Sequence, residues 1–351
     1  MPNPNRAFLL GPLLKGVSRS FYLTLRILPA GMRDPVGLAY LLARAADTIA
    51  DTSLIPPAQR LALLLALRER VHSASGDDDA PFAQRLTAEV ASQQTVSDER
   101  VLLESIGPAL EVLRQLSASN RAAVQGIVAT LTEGMEFDLR TFPDERSGKV
   151  AALRTMADLD RYTYLVAGCV GEFWTTMTDA HLPGTFKAPV ETMLRRGVRF
   201  GKALQMVNVL RDCGRDLRIG RCYLPVDVLD RHGLTLQDLQ DPVNSLRARP
   251  VLRDLVRVAL DNFREAMDYT FALPRTAIRL RLACLWPILI GLDTLALLVA
   301  NEAWLDPARV SKVQRQDVYG VLAGSTVRVM SDGWLRRAMD RRIERIEAGL
   351  R

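Results

Sequence analysis

The chain has 351 residues, 48% of them hydrophobic, with 46 Lys and Arg against 40 Asp and Glu, for a net charge of +6. That length carries one large domain or two, with apolar residues enough for a sizeable core. A modest, mostly arginine excess without zinc-finger spacing, aromatic RNA-binding motif or basic tail speaks against nucleic acid, and leaves an anionic small substrate or an anionic membrane surface. Three histidines scattered at His72, His181 and His232, with no C-x-x-C, G-x-G-x-x-G or Walker pattern, exclude a histidine-based zinc site, a catalytic triad and a readable nucleotide fold.

Apolar residues recur at three- and four-residue spacing along nearly the whole chain, and alternating patterns are scarce. The spacing predicts helices at roughly 8–16, 19–27, 33–51, 57–74, 80–93, 98–116, 118–139, 149–178, 187–217, 225–231, 235–239, 248–272, 275–300, 306–322 and 331–349. Breaks fall on turn chemistry such as Leu28-Pro-Ala-Gly31 and Leu182-Pro-Gly184. No composition shift or repeat marks a boundary. The expectation is a single all-α domain over residues 1–351, its helices surrounding a central cavity. The start, Met1-Pro-Asn-Pro-Asn5, lacks the charged residues and apolar run of a secretory signal. Cys169, Cys213, Cys222 and Cys284 read as free thiols, and the expected location is cytoplasmic, with peripheral membrane contact left open.

The 33–51 helix carries the first of only two D-x-x-x-D spacings, Asp47-Thr-Ile-Ala-Asp51. Residues four apart lie one above the other on a helix face. Tyr40, Arg44, Asp47 and Asp51 fall within an arc of about 60°. The 187–217 helix carries the second spacing, Asp212-Cys-Gly-Arg-Asp216. Gln205, Asn208, Asp212 and Asp216 fall within an arc of about 80°. Both stripes interrupt otherwise apolar helices, so each should face something other than plain core. Paired carboxylates repel without a counterion, and hard oxygens suit Mg²⁺, which is usually bound by a few carboxylates plus substrate phosphates. The alternative is a solvated face, or carboxylates paired with Arg44, Arg211 and Arg215. Two such faces, each with an amide or arginine in register, favour metal ions holding a diphosphate.

Toward the C-terminus, Leu282 to Ala300 is apolar enough to resemble a membrane span, but Pro287 and Asp293 interrupt it. A buried helix lining an apolar cavity is the expectation. The last helix, Asp332 to Arg351, sets Leu335, Met339, Ile343 and Ile346 on one side among many arginines. It reads as an amphipathic surface helix, with a membrane-resting role as the alternative.

With these residues in place, the chain resembles the squalene/phytoene synthase family, the head-to-head prenyl diphosphate synthases. Ser18-Arg-Ser-Phe21 looks like the family's N-terminal S-R-S-F segment, and Tyr40 through Asp51 its first aspartate-rich motif. Tyr162-Thr-Tyr-Leu-Val-Ala-Gly-Cys-Val-Gly171 is similar to its Y-x-x-x-V-A-G-x-V-G helix. Gln205 through Pro225 is similar to Q-x-x-N-I-x-R-D-x-x-x-D followed by G-R-x-Y-L-P. Arg215 departs from this pattern, standing where many members carry Glu. Cys284-Leu-Trp-Pro287 looks like the C-A-I-P stretch of the squalene-forming branch, whereas Phe137-Asp138-Leu139 resembles the M-D-L of bacterial phytoene-type members.

The resemblance implies an isoprenoid-synthase-type helical bundle and an Mg²⁺-dependent prenyltransferase. It would join two farnesyl diphosphates through presqualene diphosphate to squalene, with reduction by NADPH. Asp47, Asp51, Asp212 and Asp216 are the implied metal holders. Ser18, Arg19, Phe21, Arg44, Gln205, Asn208, Arg211 and Arg221 are the implied substrate contacts. Tyr40 and Tyr162 join Arg44, Asp47 and Asp212 as catalytic candidates, since aromatic faces stabilise a carbocation held in a dry cavity. Lys312 and Arg315 resemble the basic segment associated with NADPH. The rival readings are a dehydrosqualene, phytoene or presqualene diphosphate synthase without reduction, and a non-catalytic scaffold or lipid-binding member.

Overall fold

The computed structural model describes residues 4–18, 21–26, 28–142 and 144–351. Helices dominate, as expected, and among the described residues the only strands are Ala151–Ala152 and Arg221–Cys222. The chain divides into two compact units, Met1–Arg140 and Thr141–Arg351.

The first unit is organised around the Ala30–Asp51 helix, which packs against Pro57–His72 and Ile106–Gln115. Pro29, with ψ of 148°, leads the chain into that helix from extended backbone. Leu38, Leu41, Leu42, Ala45, Ala46 and Ile49 are completely buried on it. Each such leucine or isoleucine stabilises the unit by roughly 1.5–3 kcal/mol. The last carbonyls of a helix lack intrahelical donors. Here the buried Arg60 guanidinium donates to the Ala50 carbonyl at 2.9 Å, fixing the end that carries Asp51.

In the second unit the 29-residue helix Val190–Arg218 packs against Cys169–His181, Arg249–Phe271 and Ile278–Ala300. Its contact with the 164–181 segment is unusually close. A Cβ at Gly171 would lie 1.8 Å from the Gly197 carbonyl oxygen, and one at Gly201 would lie 2.1 Å from that of Ala167. The Val-Ala-Gly-Cys-Val-Gly171 run is therefore a backbone-to-backbone seam that only glycine permits. Gly220, at φ of 84°, ends the long helix in the left-handed conformation typical of helix C-termini. The chain then enters Arg221–Cys222, parallel to Ala151–Ala152.

That short ladder corrects the expected 149–178 helix. Ala151 N–H donates to the Gly220 carbonyl and Leu153 N–H to that of Cys222, both at 3.0 Å, so these groups pair across a ladder. The helix starts only at Met156, where Thr155 and Asp158 form a reciprocal capping box. The expected 306–322 helix is also displaced, to Arg315–Arg328. Upstream, Asn301 Nδ2 donates to the Arg309 carbonyl at 2.8 Å and to Ser311 Oγ at 3.1 Å, holding that stretch as a loop.

Ile278–Ala300 is the one helix among the described residues long and apolar enough to cross a membrane, but 61% of its most apolar window is buried against protein. The expectation of a buried helix is borne out. All four cysteines are free and buried, and burial pushes Cys169, Cys222 and Cys284 up to about 12, so they remain inert thiols.

Candidate active site

Between Pro35 and Asp51 the only positions with appreciable exposure are Tyr40, Ala43, Arg44, Asp47 and Asp51. The polar stripe read from the helical period is therefore the single open face of an otherwise buried helix. Tyr40 Oη donates to the Val17 carbonyl at 3.4 Å, joining the stripe to the Leu14–Ser18 turn. Ser18 itself is buried and its hydroxyl donates back to the Leu14 carbonyl. Arg19, and the side chain of Phe21, lie outside the described residues.

Arg44 is clamped between two carboxylates, with Asp47 Oδ2 and Glu99 Oε1 each 2.5 Å from its terminal nitrogens. Burial opposes its charge, but Asp47 and Glu99 more than offset that, and its pKa is raised. Asp47 has 39% of its side-chain surface open. Desolvation by the surrounding protein, then repulsion from Asp51, nevertheless pushes its carboxyl up to about 6, against the pull of Arg44. Glu99 adds to that rise. This is a site with surplus negative charge, where a cation would relieve strain between carboxylates.

The second stripe behaves similarly. From Ala203 to Leu217 the positions with appreciable exposure are Leu204, Gln205, Asn208, Arg211, Asp212, Arg215 and Asp216. Asn208 Nδ2 donates to Gln205 Oε1 at 3.2 Å, and Gln205 Nε2 donates to Tyr162 Oη at 3.4 Å. Tyr162 is buried and stacks on Tyr223, ring centroids 4.5 Å apart, while Phe142 meets Tyr223 edge-on at 5.0 Å. Arg211 grips both oxygens of Asp212, Nε at 3.0 Å from Oδ1 and a terminal nitrogen on Oδ2. Asp216 helps to raise the Cys213 and Cys222 thiols, after desolvation, so its charge lies close to both.

Arg44 and Arg211 thus form the arginine pairs anticipated as the alternative to metal binding, whereas Arg215 is exposed. Among the described residues no three His, Cys, Asp or Glu side chains converge as a self-sufficient metal site. The donor sets still fit Mg²⁺, which needs only one or two carboxylates when substrate phosphates complete its shell. Arg221 is mostly buried and donates to Glu145 Oε1 at 3.1 Å. Lys312 and Arg315 are exposed and, among the described residues, have no ion-pair partner.

Sequence reasoning missed Glu99, Glu145 and Tyr223 as members of these clusters. Tyr223 lies within the Gly220-to-Pro225 motif and was findable there; nothing local to Glu99 or Glu145 points to Arg44 or Arg221.

The Squalene/phytoene synthase family profile matches residues 14–316. The bifunctional lycopene cyclase/phytoene synthase of Colletotrichum graminicola is 29% identical over 267 residues, covering 74% of this chain and 41% of its own length. The squalene synthase of Solanum lycopersicum is 26% identical over 292 residues, covering 82% of this chain and 64% of its own. The chain thus spans less than two thirds of either relative. Among solved structures, TcSQS in complex with the ligand E5700 has a TM-score of 0.73 at 21% identity, with 99% of each chain covered, which shows a shared fold.

Proposed function

Because the chain belongs to the squalene/phytoene synthase family, we propose that it is an Mg²⁺-dependent prenyltransferase that joins two farnesyl diphosphates head to head and, with NADPH, forms squalene. The observation that carries this reading is the pair of polar stripes, each the open face of a buried helix and each bearing two aspartates one turn apart.

The first chemical problem is departure of a diphosphate. Asp47 and Asp51 on the first stripe, and Asp212 and Asp216 on the second, are the residues that would hold Mg²⁺, which supplies positive charge to neutralise such a leaving group. Arg44 and Arg211 are planar donors that suit phosphate oxygens, and their aspartate pairing keeps them oriented at the stripe. Gln205 and Asn208 form a linked amide pair that can orient a phosphate or water. Tyr162, held by Gln205 and stacked on Tyr223, offers an electron-rich face to an allylic cation. Arg221, engaged by Glu145, serves better as a support for the Arg221–Cys222 strand than as a phosphate ligand.

In the balanced reaction, two farnesyl diphosphates give presqualene diphosphate, one diphosphate and a proton. Presqualene diphosphate then loses its diphosphate and takes up a hydride. NADPH supplies that hydride when bound, and Lys312 and Arg315, exposed and without an ion-pair partner among the described residues, fit a polyanionic cofactor. The similarity to a phytoene synthase relative favours a second reading, the same condensation without reduction. Diphosphate release from farnesyl diphosphate should require Mg²⁺ and cease with chelator. Release that persists unchanged in excess chelator would sink the metal assignment.

A further inference from the structure

The second unit contains a cavity of about 750 Å³ that the proposed chemistry does not use. Three helices wall it: Ile278–Ala300, Arg315–Arg328 and Asp332–Gly349. Leu289, Ala296, Leu297 and Ala300 form an apolar side, and Trp334, Ala338, Arg341 and Arg345 the facing one. The latter four fall at i, i+4, i+7 and i+11, one face of the last helix. Its opposite face, with Leu335, Met339, Ile343 and Ile346, is buried in the core.

Two features describe this space as open and richer in arginine than in carboxylate: Arg328, Arg341, Arg342 and Arg345 line it against Asp293 and Asp317. Gly320 and Gly324 line the cavity in mid-helix, and a Cβ at either would touch nothing within 4 Å. Neither has a positive φ, and a helical glycine is less favourable than alanine, so neither backbone nor packing requires them. Around the opening, Asp293 neutralises Arg342 in a two-point pair at 2.8 and 3.0 Å. Arg328 lies over the Trp334 ring, 5.5 Å from its centroid. Arg341 and Arg345 are exposed and, among the described residues, have no carboxylate partner.

We infer that this groove docks the chain on an anionic phospholipid bilayer, with Arg328, Arg341 and Arg345 on lipid phosphates and the Leu297 side receiving acyl chain. Charge complementarity selects an anionic headgroup. The apolar side of the lining selects a bilayer over a soluble anion: Leu297 is 45% exposed and stands with Ala296 and the exposed Ala300 across from the arginines. Isolated apolar residues on a surface are ordinary, but several beside an arginine-lined groove suit an interface with one wet and one oily side.

The test is co-sedimentation of the full chain with vesicles of phosphatidylcholine alone or with a third phosphatidylglycerol. Binding should need phosphatidylglycerol and weaken with salt. The double change Arg341→Ala and Arg345→Ala should lower partitioning roughly 10–30-fold, since each basic side chain at an anionic surface contributes severalfold. Gly324→Asp, at a position where a Cβ meets nothing within 4 Å, puts a negative charge in the groove and should also reduce binding, whereas Arg146→Ala with Arg231→Ala should not. Equal binding to both vesicle types, or equal losses from the two arginine double changes, would overturn the inference. So would normal binding by Gly324→Asp with an unchanged circular dichroism spectrum. Displacement from vesicles by stoichiometric farnesyl diphosphate or NADPH would assign the groove to a soluble ligand instead.

Discussion

Arg44 and Glu99 stand 55 positions apart in the chain, yet a terminal nitrogen of Arg44 lies 2.5 Å from Glu99 Oε1. The contact turns Arg44 from a loose surface cation into an oriented fork beside Asp47. It also adds negative charge that helps to raise the Asp47 carboxyl. Glu99→Gln should therefore shift the acid limb of the kcat/KM profile to lower pH and raise KM for the prenyl diphosphate several-fold. A pH–rate series on the variant checks both effects. An unchanged profile would remove Glu99 from the site.

Replacing Arg44 itself should be more damaging. Arg44→Ala should lower kcat/KM by about 100-fold, the cost of losing a charge-assisted two-point contact. Arg44→Lys should recover only part of that, because an ammonium lacks the planar fork. Full recovery by lysine would mean that local charge alone matters.

Asp47→Asn and Asp212→Asn should each nearly abolish turnover while leaving the helical circular dichroism intact, since asparagine keeps the shape but loses metal affinity. Near-normal turnover by either variant at saturating Mg²⁺ would contradict the two-pair arrangement.

Stability should respond to pH through the same carboxyl. Asp47 sits near 6 in the folded protein against an ordinary 3.8, because desolvation and Asp51 disfavour its charge. Between those values the folded state holds a proton that the unfolded state has released, so this group makes stability fall as pH rises. The penalty is absent below about pH 4 and fully present above about pH 6. In chelator, Asp47→Asn should thus raise the melting temperature at about pH 7.5 relative to the parent, and the advantage should vanish near pH 4. Thermal melts at the two pH values decide it; a variant less stable at the higher pH would show that the Arg44 pairing outweighs burial.

The seam between Gly171 and Gly197 should tolerate no side chain. Gly171→Ala places a methyl 1.8 Å from a backbone oxygen, with no flexible neighbour to yield. A loss of about 3 kcal/mol or more is expected, at or beyond the upper end of ordinary overpacking. Urea denaturation measures it, and a loss under about 1 kcal/mol would mean the helices separate easily.

The helical period alone disclosed both polar stripes, because a buried helix with one open face must write that face into its sequence at three- and four-residue spacing. Tyr40, Arg44, Asp47 and Asp51 were legible for this reason, as were Gln205, Asn208, Asp212 and Asp216. Partners supplied by other elements were not. Glu99 looks like any acidic residue in a first helical turn, and only packing brings it to Arg44. The 149–155 segment looked helical because its apolar content does not distinguish a helix from a two-residue ladder. The Thr155–Asp158 capping box is the local signal that marks the true start, and the periodic reading passed over it. The glycine seam was visible as a motif, but its cause became apparent only from the two backbones in contact.

Lys312→Ala with Arg315→Ala should leave the first condensation intact and reduce squalene, with presqualene diphosphate or a dehydro product accumulating. The two side chains are exposed and not part of either aspartate stripe. Unaltered squalene output from the double variant would remove these residues from cofactor binding.

The most direct measurement is the identity of the hydrocarbon formed from farnesyl diphosphate and Mg²⁺ by the purified chain, by gas chromatography and mass spectrometry, with and without NADPH. The account predicts squalene when NADPH is present, and presqualene diphosphate or a dehydro product when it is absent. The same hydrocarbon under both conditions would replace reduction with the non-reducing reading, and no thirty-carbon product under either would contradict head-to-head condensation itself.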